Sequence, residues 1–133
     1  MKRLTLLFLV VVMLVSTTSS VFASSDNYFE GQMAGKKSAE TNYSGGGWLA
    51  GGIAGGFLFG IIGGGITVGL SAAAKPQPDN DILYSIKDES TDYRMGFTEG
   101  YEQVARSKNI QNSCVGAGLG VLLLVAVVSS QSY

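Results

Sequence analysis

Histidine is absent from the 133-residue chain, and cysteine occurs once, as Cys114. The first absence removes the commonest general base and the commonest metal ligand. The second excludes a disulfide within the chain. Charge is sparse too, at 14% of residues, and nine basic against ten acidic side chains leave a net charge of -1. No basic cluster of the kind that grips phosphate backbones is present, so nucleic acid is not an expected partner. Ser, Asp and Lys occur without the base, phosphate-cradling motif or metal cluster that would turn them into chemistry. No catalytic residue, cofactor or metal is therefore expected, and the chain reads as non-enzymatic.

Glycine, by contrast, is abundant, with 19 residues. The stretch "GGGWLAGGIAGGFLFGIIGGGITVGL", Gly45 to Leu70, sets glycine among large apolar residues without one charge. A flexible linker would carry serine and polar partners instead. A strand would alternate more regularly and tolerate less glycine. A membrane helix fits, because lipid leaves a backbone amide no partner except the helix's own carbonyls. Trp48 to Ala74 has the length for it: 27 uncharged residues, about 40 Å at helical rise against a hydrocarbon core of about 30 Å. Gly52, Gly56, Gly60 and Gly64 recur every fourth residue, and Gly47, Gly51 and Gly55 form a second row. Such rows leave a helix face without side chains, into which a neighbouring helix can settle.

A second apolar run, Ser113 to Ser130, carries its own pair, Gly116 and Gly120. Its strictly apolar part, Cys114 to Val128, is 15 residues long, short beside the roughly 20 of a full span, and a buried soluble helix is its alternative reading. The expected fold is all-α: a membrane helical hairpin of two spans, with a short amphipathic helix before each. Residues 1–23 read as a signal peptide, with Lys2 and Arg3, an apolar core, and small residues before Ser24. Residues 24–46 follow as an exported polar helix and 47–74 as the glycine-zipper span. Residues 75–89 form a linker opened by Pro76 and Pro78, 90–109 an amphipathic helix, and 113–130 the second span. Without the signal, the net charge is -3. Asp79 and Asp81 lack the glycine and glutamate of a calcium loop and read as a solvated turn.

Two polar segments read alike. At an offset of 65 residues Ser25, Tyr28, Gly31 and Gly35 meet Ser90, Tyr93, Gly96 and Gly100, and Gly51 and Gly55 meet Gly116 and Gly120. In the second copy Tyr93, Phe97, Tyr101 and Val104 fall on one helical stripe, either core or a candidate interaction surface. One span per copy makes the two copies an inverted pair on opposite sides of the membrane. Lysine and arginine agree with that orientation, with five from Lys75 to Lys108 on the inner side and two, Lys36 and Lys37, outside.

"YRMGFTEGYEQVARSKN", the Y-x-x-G helix before it, the glycine-rich span and the Lys75-Pro76 step resemble small, uncharacterised bacterial envelope proteins. That resemblance covers most of the chain after the signal and implies architecture without activity. The glycine run is also similar to glycine-zipper membrane segments in general. The expected role is a structural or interaction component of the bacterial cell membrane. It would assemble through Gly52, Gly56, Gly60, Gly64, Gly116 and Gly120, with lipid, copies of itself or other membrane proteins as partners. An oligomeric, pore-forming or holin-like permeabiliser is the alternative. It calls for a polar stripe along a span, where the first offers only Thr67 and Ser71.

Overall fold

A computed structural model describes residues 26–131, and the expected signal peptide lies outside them. Among the described residues every regular element is helical. Helix α1 covers residues 26–42. It is followed by α2, Gly46–Ala73, by a short α3, Asn80–Ser85, and by α4, Thr91–Ser130. Both α2 and α4 are long and apolar enough, by length and composition, to cross a membrane.

Two boundaries differ from the sequence reading. The amphipathic helix and the second span are one continuous 40-residue helix, because nothing between Asn109 and Ser113 breaks it. Its start is capped by the Ser90 hydroxyl, which accepts from the Tyr93 N–H at 3.2 Å. The acidic linker also contains α3 instead of a plain turn. Ile82, Leu83 and Ile86 explain this, since helical spacing brings them onto one apolar core.

The course of α2 departs from the straight span expected for 47–74. At Gly60 the backbone takes φ 61° and ψ -140°, outside the helical region. An L side chain is strained there and glycine is not. The chain then doubles back. A Cβ built on Gly55 would lie 2.9 Å from the Gly63 carbonyl oxygen and 2.6 Å from Thr67 Oγ1, and one on Gly51 would touch Thr67 Cγ2 at 3.6 Å. In a straight helix residues 51 and 67 would stand about 24 Å apart. Helix α2 is thus two antiparallel arms, 46–59 and 61–73, joined tip to tip at Gly60.

This return alters how the repeat is arranged. Gly31 and Gly35 lie against the backbones of Tyr93 and Phe97, while Gly96 and Gly100 lie against those of Tyr28 and Gln32. Both helices advance in the same direction, and Gly52 and Gly56 then meet Gly116 and Gly120 in the same sense. The two copies are therefore parallel neighbours, which corrects the inverted pair expected from the sequence. The second arm of α2 supplies the return path that an inverted arrangement would not need.

The chain divides into a polar head and an apolar end. In the head, Ala39, Ile86, Phe97, Tyr101 and Ala105 form the buried core, with Tyr43, Ile82, Leu83, Tyr93 and Val104 packed around it. Tyr101 is 2% exposed and Phe97 5%, and each such burial is worth about 1.5–3 kcal/mol. The apolar end consists of the two arms of α2 and the second half of α4.

Candidate functional site

Two neighbouring four-residue rows on α4 make the contact: Gly96, Gly100, Val104, Lys108, Asn112, Gly116 and Gly120, and beside it the buried row Phe97, Tyr101, Ala105, Asn109 and Ser113. Helical geometry sets each such residue beside the next, in a stripe that winds slowly round the helix. The glycines of the first row bring backbone against backbone at both ends. A Cβ on Gly52 would sit 2.6 Å from the Ser113 carbonyl oxygen and 2.9 Å from the Ala117 nitrogen. A Cβ on Gly120 would sit 2.7 Å from the Phe57 nitrogen. No real side chain fits at these distances.

Polar members of these rows make a girdle where head and apolar end meet. Lys108 Nζ donates to the carbonyls of Ala39, Glu40 and Tyr43 at 3.1, 2.7 and 2.7 Å, closing the carboxyl end of α1. A cation suits that position, where the helix dipole is negative and carbonyls lack partners. Asn112 Nδ2 donates to the Ser44 carbonyl at 3.0 Å, and the Tyr43 hydroxyl donates to Asn109 Oδ1 at 2.8 Å. Asn109 is fully buried, and its amide nitrogen has no hydrogen-bond partner. Lys108→Met is expected to destabilise the head by about 2 kcal/mol, since it removes three charge-assisted bonds at a half-buried site. Limited proteolysis near residues 40–45 would register this as severalfold faster cleavage.

Polar side chains inside the apolar end are satisfied by their own helices. Thr67 Oγ1 donates to the Gly63 carbonyl, Ser71 Oγ to Val68 and Ser113 Oγ to Asn109, at 3.0, 2.7 and 2.8 Å. This is how hydroxyls are carried where water is missing. The side chains facing out are large and apolar: Ile61 is 82% exposed, Ile62 77% and Phe59 71%. Those facing in are Gly52, Gly56, Gly63, Gly64 and Ser71 of α2 with Ser113, Gly116 and Gly120 of α4. The arrangement inverts that of a water-exposed bundle.

The residues singled out from sequence therefore separate into three roles. Gly52, Gly56, Gly116 and Gly120 pack together, with Gly52 against Gly116, one residue on from the Gly51 that the repeat aligns with Gly116. Gly64 packs from the returning arm, where its Cβ would lie 2.8 Å from Ala117 Cβ. Gly60 does not belong to a packing row and makes the turn. Within this chain the Tyr93, Phe97, Tyr101 and Val104 stripe packs with α1 and α3, the core alternative of the two that the sequence left open. Gly63, Lys108, Asn109 and Asn112 were not legible as site residues. For Lys108 the available signal was its place four residues before Asn112 in the glycine row.

The head's outer face offers one further polar link, from the Tyr28 hydroxyl to the Glu99 carboxylate. That bond is the main reason the Tyr28 phenol is raised above its usual value. Among the described residues no group of acidic and cysteine side chains is placed to hold a metal ion. No protein-family model, curated protein or solved structure matches the chain.

Gly65, Gly69 and Gly118 contrast with the packed glycines, because a Cβ at any of them would meet nothing within 4 Å. Leucine at these positions is expected to be tolerated, with a gain in helix propensity of somewhat under 1 kcal/mol. Thermal denaturation in detergent should show an unchanged or raised midpoint.

Proposed function

We propose that the chain is a non-enzymatic membrane protein of the bacterial envelope, a structural or interaction component. Its glycine-seamed apolar end anchors a folded polar head at the bilayer surface. The observation that carries this reading is the inversion of the apolar end, with glycine and serine inside and Phe59, Ile61 and Ile62 outside. In water such a surface would be costly, at roughly 25 cal/mol for each Å² of apolar area left exposed. Lipid removes that cost and leaves close backbone packing as the contribution that holds the helices together. The glycine rows serve association inside one chain, and partner proteins or further copies would meet the head or the faces around Gly65, Gly69 and Gly118.

Alkaline carbonate washing of membranes tests the anchor. The protein is expected in the pellet, and a folded, detergent-free monomer in the supernatant would refute the reading. The pore-forming alternative receives no support from the packing, since backbone contact closes the seam of a single chain. Liposomes carrying the protein at low protein-to-lipid ratio should retain an encapsulated dye, whereas prompt release would favour the pore.

A further inference from the structure

We infer that α2 is a re-entrant membrane hairpin, which enters and leaves the bilayer by one face and keeps residues 26–45 and 74–112 together on that face. The inference rests on the membrane reading above and adds to it the path of the chain through lipid. Three observations converge on it.

The first is the mouth of the hairpin. A cavity of about 620 Å³ is lined by Tyr43, Gly46, Trp48, Gly51, Thr67 and Asp79, so the start of the first arm and the residues after the second stand side by side. Trp48 occupies the level where aromatic side chains favour the boundary between lipid and water.

The second is the tip. Phe57, Leu58, Phe59, Ile61 and Ile62 are all exposed and surround Gly60, without a polar or charged side chain among them. A turn emerging into water on the far side would be expected to carry polar residues, and this one fits acyl chains. The depth agrees. Fourteen residues from Gly46 to Phe59 reach about 21 Å at helical rise, short of a hydrocarbon core of about 30 Å. A Cβ on Gly60 would lie 3.8 Å from Leu124 Cδ2, which levels the tip with a residue still inside the apolar run of α4. Among the described residues only α4 continues past the tip, towards Ser129, Ser130 and Gln131.

The third is the head itself. Lys108 binds the end of α1, and Ile86 after α3 shares a core with Ala39 of α1. Segments in such contact cannot lie on opposite sides of a bilayer.

The test uses the full chain with Cys114→Ser in sealed membrane vesicles. Single cysteines replace Glu40, at the end of α1, and Asp81, in α3, and are exposed to a membrane-impermeant maleimide before and after permeabilisation. The two positions are expected to label alike, within about twofold, in both conditions. Labelling of one before permeabilisation and of the other only after it, from protein that resists carbonate, would overturn the inference while leaving the anchor intact. Release by carbonate would remove the anchor and the inference with it. As a second measurement, Gly51→Cys with Thr67→Cys is oxidised in the membrane. More than half of the chains should form an intrachain disulfide and run faster on a non-reducing gel. A straight α2 holds the two positions too far apart to cross-link, so absence of the bond would also overturn the inference.

Discussion

Gly100→Leu is expected to detach α1 from α4 and to open the core of the head. A Cβ at this position meets the backbone of Gln32, with the carbonyl carbon at 2.9 Å and Cα at 3.1 Å. A side-chain clash can relax by a change of rotamer, but a backbone clash requires one helix to move. Overpacking of this kind costs about 1–3 kcal/mol where the structure can yield and more where it cannot. Here the neighbours resist, because Gly31, Gly35 and Gly96 make the same contact around it. A loss of at least about 3 kcal/mol is therefore expected, and even Gly100→Ala should be clearly destabilising. Protease resistance of residues 26–45 in detergent gives the readout, since the core residue Ala39 loses its cover when α1 leaves. The opposing Gly35→Leu should match it, and adding it to Gly100→Leu should cost little more, as two substitutions in one contact do not add. A full-strength additive loss would contradict the shared seam.

Gly60→Ala tests the turn by a different route. Space is not the obstacle, for the nearest atom to a Cβ there is Leu124 Cδ2, at 3.8 Å. The obstacle is the positive φ of 61°. An L-residue held in that region loses about 1–3 kcal/mol. The expected outcome is a weakened or straightened α2, read as a several-fold fall in cross-linking between Gly51→Cys and Thr67→Cys. Chirality supplies the control. D-alanine, introduced by chemical ligation, finds φ 61° and ψ -140° as favourable as the L-residue finds their mirror image in the extended region. Rescue by the D-residue would assign the effect to backbone handedness, whereas equal damage by both enantiomers would sink that assignment.

The all-helical class and the position of both apolar helices were readable in the sequence because they depend on composition over long windows. The doubling back of α2 was not. Gly60 stands in the same four-residue row as Gly52, Gly56 and Gly64, so spacing marks it as one more packing position. What separates it is tertiary, namely the meeting of Gly51 and Gly55 with Thr67 and Gly63, which no local pattern reports. Gly63 would rank below Gly56 and Gly60 on register alone. A Cβ added at Gly63 would lie 2.6 Å from Phe59 Cβ, so leucine there should damage the hairpin as much. Charge is affected in a related way. The segments that carry the five basic residues of the expected inner side and the two of the outer one pack on one core in the structure, and on the re-entrant path proposed above their uneven division would not orient the chain. Lys108 fits the dipole preference at a helix end, but the end it serves is that of α1, across the contact, and α4 runs on past it.

The interruption at residues 43–45 has a geometric meaning. Before it Gly31 lies against Tyr93 and Gly96 against Tyr28, separations that centre on 65 positions; after it Gly52 lies against Ser113 and Gly116 against Leu49, separations that centre on 64. One residue corresponds to about 100° of rotation in a helix, so an unbroken rod from 26 to 59 would turn Gly47, Gly51 and Gly55 towards α4 and point Gly52 and Gly56 elsewhere. The short non-helical step acts as a phase slip, assigning one glycine file to the long helix and releasing the other for the returning arm. Two faces of one rod thereby serve two neighbours, and that division depends on the spacing of three residues far from the tip it makes possible.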